Sequence, residues 1–262
     1  MDLGLKGKSV LVSAASKGLG KATALEYARE GAIVTIASRN FEQLQQTAEE
    51  IKRITGQAVT CAEMDITRAE DVENAVSTAV SAGGGLDVLV YNAGGPPAGM
   101  FDQFDDAQWQ KAFELNLLSA VRMIRASLPH MRAKGAGRII TLTSSSIKQP
   151  INGLILSNTI RTGVYGLTKS LAAELANDQI LVNTVAPGRI ETDRILELDA
   201  FSANRQGISV EELQSQSFRQ IPVGRYGTPE EFARAVVFLG SFANTYITGQ
   251  ALLVDGGMVK GL

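Results

Sequence analysis

Three groups of residues in the 262-residue sequence have types and spacings that suit chemistry. The first is the run Ser13-Ala14-Ala15-Ser16-Lys17-Gly18-Leu19-Gly20. Gly18 and Gly20 let a backbone approach a pyrophosphate. A helix starting there turns its unpaired N–H groups and its positive dipole end toward the anion. A plain tight turn uses the same residues, and it is the position between a first strand and a first helix that favours a nucleotide. The second group is Ser38-Arg39-Asn40. A site for NAD places Asp or Glu after the second strand to hold the ribose 2′-hydroxyl, and no acid stands here. Arg39 and Lys17 together neutralise a 2′-phosphate, and Ser38 adds a hydrogen bond. NADP(H) is therefore the expected cofactor, set against two merely solvated cations. The third group pairs a hydroxyl with a cation four residues on: Tyr165 with Lys169, and Ser157 with Arg161. Each pair shares one face of a helix.

Other chemistries are excluded by counting. His130 is the only histidine and Cys61 the only cysteine. A Ser-His-Asp or His-metal mechanism would have to use His130, which reads as a surface residue near a helix end. No intrachain disulfide or cysteine-based zinc site can form, and no metal site is expected. A formal net charge of -2 leaves no electrostatic footprint for nucleic acid. No apolar run approaches the roughly 18–20 residues that span a bilayer. The stretch Met1 to Lys8 lacks an apolar signal-peptide core, so the expected compartment is reducing and cytoplasmic. Twenty-six glycines against seven prolines point to many turns and close approaches.

The elements that must position these groups alternate along the chain. Ser9 to Ser13 reads as a strand and Leu19 to Arg29 as a helix. Then come strand Ala32 to Ala37, helix Phe41 to Ile54, strand Ala58 to Met64, helix Ala69 to Ala82 and strand Leu86 to Tyr91. Asp106 to Met131 reads as one long helix, Arg138 to Thr143 as a strand and Ser157 to Ala176 as a helix. Ile180 to Val185 and Ala251 to Val254 read as strands, with helix Pro229 to Leu239 between them. Continuous apolar strands alternating with helices predict an α/β fold, a single-domain Rossmann-like doubly wound parallel sheet over 1–262 with helices on both faces. The segment 190–222 is polar and weakly periodic, and it is expected to be a substrate lid.

In order and spacing the sequence resembles the short-chain dehydrogenase/reductase family over essentially its whole length, most closely its bacterial 3-oxoacyl-acyl-carrier-protein reductases. The motifs that carry the resemblance are the Gly-rich turn, Met64-Asp65-Ile66, Tyr91-Asn92-Ala93-Gly94, Asn116, Gly137-Arg138-Ile139-Ile140 and Thr143-Ser144-Ser145. Val182 to Gly188, Thr248-Gly249-Gln250 and Val254-Asp255-Gly256-Gly257 complete them. The resemblance implies that Asp65 and Ile66 flank the adenine. It places Asn92, Ala93 and Gly94 on the ribose and nicotinamide side, with Pro187, Gly188, Ile190 and Thr192 at the nicotinamide. Ser13, Ser16, Lys17, Gly18, Leu19, Gly20, Ser38 and Arg39 complete the expected cofactor site. Ala14 stands where the family's first glycine usually does, which a negative φ would tolerate. The resemblance also implies a homo-oligomer, a tetramer or dimer.

At the catalytic end the sequence departs from the family, which uses a tyrosine acid, a lysine four residues later, an upstream serine and an asparagine. Tyr165 and Lys169 match the tyrosine–lysine spacing but stand in the wrong frame. The family run Gly166 to Ala172 normally begins about nine residues after the tyrosine, which puts Ser157 and Arg161 at the tyrosine and lysine positions. Ser144 lies thirteen residues before Ser157, the usual separation. Tyr165 would sit about 12 Å further along the helix at 1.5 Å per residue. The expected catalytic group is Asn116, Ser144, Ser157 and Arg161, with Arg161 also on the cofactor ribose. Three readings follow: an oxidoreductase passing a hydride between NADP(H) and a carbonyl or alcohol, among them a 3-oxoacyl thioester; a nucleotide-binding sensor, scaffold or oligomer partner with little turnover; and a structural protein without nucleotide.

Overall fold

The computed structural model describes residues 1–261; Leu262, the last residue of the expected domain, lies outside them. Strand β1 (Ser9–Ser13) leads to α1 (Gly18–Arg29), β2 (Ile33–Ser38), α2 (Phe41–Thr55), β3 (Thr60–Glu63), α3 (Ala69–Gly83) and β4 (Val88–Tyr91). The second half runs α4 (Asp106–Phe113), α5 (Ser119–Lys134), β5 (Gly137–Leu142), α6 (Ile155–Glu174), β6 (Ile180–Pro187), α7 (Asp193–Gln206), α8 (Val210–Gln220), α9 (Pro229–Leu239) and β7 (Ala251–Val254).

All seven strands are parallel, in the order β3-β2-β1-β4-β5-β6-β7. Strand residues alternate between two cores. Val10, Val12, Ile140 and Leu142 pack with Tyr27 of α1, Ile51 of α2 and Phe232 of α9. Leu11, Leu89 and Ile139 pack with Val76 of α3, Met123 of α5 and Val164 of α6. Helices cover both faces, so the central strands β1, β4 and β5 are buried along their whole length. The chain reverses its winding between β1 and β4, and this leaves a crevice beyond their C-terminal ends, where such sheets bind ligands.

One expectation about a helix is corrected. The stretch from Asp106 onward is not one regular helix, because a π-helical turn, Glu114–Leu118, joins α4 to α5. The wider turn is matched by a tertiary contact: the Tyr91 hydroxyl donates to the Asn116 carbonyl at 2.7 Å. Segment 190–222, the expected lid, carries α7 and α8. Thr192 caps α7 and Ser209 caps α8 through their side chains, with Gly207 in the left-handed region ending α7. Among the described residues no helix is long and apolar enough to cross a membrane.

Candidate active site

The crevice is a cavity of about 1300 Å³. At one end lies the turn after β1. Ala14 adopts φ +47°, and Gly18 φ +57°. The negative φ that would tolerate Ala14 is not adopted: an alanine holds a left-handed conformation that costs an L-residue roughly 1–2 kcal/mol. The turn is held in place by Asn92, whose Nδ2 donates to the Ala14 carbonyl at 3.3 Å. A Cβ at Gly20 would lie 2.4 Å from that carbonyl oxygen, so only glycine fits there. Gly20 serves to close the turn and does not line the cavity. The first turn of α1 carries no side-chain cap and no acid. Its N–H groups are left for an anion.

Lys17 and Arg39 both border this end. Lys17 Nζ pairs with Asp193 at 3.1 Å, both side chains being well exposed. Arg39 is exposed. Asp65, close enough to feel its charge, accepts at Oδ1 from the Thr67 backbone at 2.9 Å and the Thr67 hydroxyl at 2.7 Å. The Thr67 hydroxyl bond is the main reason the Asp65 carboxyl is held below its ordinary range, with Arg39 a smaller contributor. Ser38 Oγ is buried at the cavity wall without a partner. Together these features fit a phosphorylated nucleotide: free N–H donors, one cation in an exposed pair, a second with no ion-pair partner among the described residues, and an orphaned hydroxyl beside them.

At the other end, α6 presents Ser157 and Arg161 to the cavity one turn apart, opposite Ser144 at the end of β5. Arg161 is 9% exposed. Its Nη1 donates to the Leu142 and Thr143 carbonyls, each at 3.1 Å, and its Nη2 to the Ala93 carbonyl at 3.3 Å. It thereby ties the ends of β4 and β5 to α6. Burial pushes its guanidinium down, and Arg194 pushes the same way. Ser144 Oγ accepts from the Ser146 N–H at 3.2 Å. Thr143 Oγ1 is buried and unpartnered. Tyr165 and Lys169 do not reach the cavity. Tyr165 is half-buried beneath Lys148, whose Nζ lies 5.5 Å from the ring centre, and Lys169 is exposed near Gly249.

Every expected site residue lines this one cavity except Ser13, Gly20 and Asn116. Ser13 is fully buried, and its hydroxyl donates to the Asn92 carbonyl at 2.7 Å while accepting from the Asn92 N–H at 2.9 Å. It joins β1 to β4 and is not placed to touch a cofactor. Asn116 is 1% exposed, and its Nδ2 donates to the Gly94 carbonyl at 2.8 Å. It positions the loop after β4 from behind. Thr192 lines the cavity, but its hydroxyl is engaged with the Ile190 carbonyl and the Ile195 N–H.

The residue missing from the sequence reading is Arg194, on the first turn of α7. Its guanidinium lies against Gly95, and its Nη2 donates to the Pro96 carbonyl at 2.8 Å. A polar segment with weak periodicity offers no signal for it.

Four likenesses accompany this geometry. The family model described as Enoyl-(Acyl carrier protein) reductase matches residues 13–259. A 3-oxoacyl-[acyl-carrier-protein] reductase of Aquifex aeolicus is 35% identical over 258 residues, 98% of this chain and all of that one. L-sorbose reductase from Gluconobacter frateurii, solved with NADPH and L-sorbose, superposes with a TM-score of 0.94 at 33% identity over the full length of both chains. An NADPH-bound short chain oxidoreductase from Pseudomonas aeruginosa PAO1, described as containing an atypical catalytic center, gives a TM-score of 0.89 at 27% identity, covering 98% of this chain and 99% of that one.

Proposed function

This chain belongs to the short-chain dehydrogenase/reductase family, and on that footing we propose that it is an NADP(H)-dependent oxidoreductase acting on a carbonyl or alcohol, with 3-oxoacyl thioesters among the candidate substrates. The observation that carries this reading is a single cavity with two differently equipped ends. One joins the uncapped turn of α1 to Lys17, Ser38 and Arg39; the other joins Ser144, Ser157 and Arg161. The NADPH-bound structures of two similar proteins support it.

The N–H groups of Gly18 and Leu19 would hold the pyrophosphate. Lys17, Ser38 and Arg39 would take the 2′-phosphate, and Asp65 and Ile66 would flank the adenine. Asn92 to Gly94, Pro187, Gly188, Ile190 and Thr192 would wall the nicotinamide side. When bound, the nicotinamide supplies or accepts the hydride. Arg161 binds ribose hydroxyls and stays charged, since its pKa remains too high to release a proton near neutrality. Ser144 orients the substrate oxygen. The Ser157 hydroxyl passes a proton from water to that oxygen, a weaker device than the family's tyrosine. General acid catalysis is worth about 10²–10⁴-fold, so the expected enzyme is slow on simple carbonyls. A substrate whose product anion is already stabilised escapes that penalty.

We also propose a homo-oligomer. Edge strand β7 has no fully buried residue, and Leu252 on it and Ile247 just before it are exposed.

The test is a fluorescence titration with NADPH, followed by NADPH absorbance over β-ketoacyl thioesters, quinones and aldehydes. The reading predicts binding and turnover of at least one class. Failure to bind NADPH refutes it outright, and binding without turnover reduces the protein to a nucleotide-binding one.

A further inference from the structure

The substrate end of the cavity is unusual in its charge. Arg161 is buried, and among the described residues no acid pairs with it. Of the five N–H donors of a guanidinium, three are spent on main-chain carbonyls. Ribose hydroxyls can take the remaining donors, but they bring no negative charge. The three hydroxyls beside it, on Thr143, Ser144 and Ser157, line the same wall and carry no charge either. Thr143 is 5% exposed with its Oγ1 unpartnered. A second cation, Arg194, faces the same space from α7 and acts electrostatically on Arg161. Three acids border the cavity on this side. Asp193 pairs with Lys17 at 3.1 Å, Glu197 pairs with Arg194 at 3.4 Å in an exposed pair, and Glu114 accepts weakly from Gln110 at 3.4 Å. None of them pairs with Arg161. Arg194 itself is anchored only by a carbonyl and by that exposed carboxylate, so it can exchange both for a ligand at little cost.

We propose that the substrate is an oxo acid in its free, ionised form, its carboxylate held by Arg194 while its carbonyl faces Ser144 and Ser157. This rests on the oxidoreductase reading and narrows it to substrates carrying their own charge. A planar carboxylate matches the guanidinium fork, and it compensates the two like charges that otherwise face each other. The reacting carbon accepts a hydride, and its carbonyl π pair moves to oxygen. The oxygen then takes a proton delivered from water through Ser157, leaving a hydroxy acid and the oxidised nucleotide. A thioester or ester of the same acid offers no charge and gains nothing from Arg194.

The experiment compares acetoacetate with methyl acetoacetate as oxidants of NADPH. In parallel, calorimetry compares the binding of 3-hydroxybutyrate and its methyl ester to the NADPH-saturated protein. The proposal predicts a preference for the acid of about 10–100-fold in kcat/KM and in Kd, the range of one charge-assisted contact. Arg194→Gln brings both ratios near one, and Arg194→Lys keeps part of the preference. A uniform loss on acid and ester alike marks Arg194 as a lid contact only and overturns the proposal, as does an ester that binds as well as the acid. Tight, Arg194-dependent binding of the acid without turnover upholds this inference while refuting the activity on which it was built.

Discussion

Arg39→Ala isolates the cofactor choice. Arg39 has no ion-pair partner among the described residues, and the carboxyl of nearby Asp65 is committed to Thr67. Its charge is therefore available to a 2′-phosphate. A hydrogen bond to a charged group is worth about 1.5–3 kcal/mol, and the open rim on which Arg39 stands favours the lower end through solvent screening. About 1.5 kcal/mol corresponds to roughly a tenfold rise in the Kd for NADPH. Lys17 is the second cation. Its pair with Asp193 is exposed on both sides, so breaking it costs only about 0–1 kcal/mol, and the phosphate outcompetes the carboxylate. Lys17→Ala with Arg39→Ala should approach a hundredfold, less any coupling through the shared phosphate. NADH, which lacks that phosphate, should bind each variant as it binds the parent protein. Nucleotide fluorescence titrations at low and high salt read both constants, and the NADPH advantage should shrink as salt rises. Equal losses for NADPH and NADH would refute the reasoning, because the cations would then be supporting the fold and not reading the phosphate.

Three further outcomes follow from the structure. Ala14→Gly removes the left-handed strain of roughly 1–2 kcal/mol but adds backbone entropy of roughly 0.5–1 kcal/mol. Thermal unfolding should therefore rise by about 1–3 °C for a chain of this size; a fall would show that the methyl group packs usefully. Thr67→Val removes the hydroxyl bond that lowers the Asp65 carboxyl. A depressed carboxylate contributes stability above its ordinary value of 3.8 and loses it as pH falls through the lower folded value. The stability gap between parent and variant should thus be full at neutral pH and narrow below about pH 4; a constant gap contradicts the cause assigned to the shift. In the reductive direction a tyrosine acid must keep its proton, so its enzyme slows as pH rises through the tyrosine pKa. Ser157 and Arg161 do not titrate between pH 7 and 10, so kcat/KM should be flat there in the parent. Ser157→Tyr with Arg161→Lys should introduce an alkaline decline.

Most of the fold was legible because buried parallel strands are apolar on both faces and their helices carry clean periodicity. The segment 190–222 was not, and its buried positions show why. α7 turns Ile195, Asp199 and Ala203 inward, and α8 turns Leu213 and Ser217 inward. A buried acid and a buried hydroxyl break the apolar stripe. Asp199 is tolerated because Arg189 pairs with it and Tyr226 donates to it at 3.0 Å, partners that no local pattern reveals. The π turn before α5 escaped for a related reason, since its Asn116 carbonyl accepts from the hydroxyl of Tyr91, a residue distant in sequence. Within the site, motif spacing found residues that face the cavity at both of its ends but not Arg194. Ser13, Gly20 and Asn116 stand in those motifs too, but they brace it from behind. Spacing identifies such residues without distinguishing contact from support.

The central claim is that the working hydroxyl–cation pair on α6 is Ser157 with Arg161, and that Tyr165 takes no part in chemistry. The measurement that tests it most directly is kcat/KM of Tyr165→Phe beside the parent, on whichever carbonyl substrate is turned over. Tyr165 lies outside the cavity, so the account predicts a change of less than about twofold. A loss of about 10²-fold or more, the signature of a missing general acid, would contradict it.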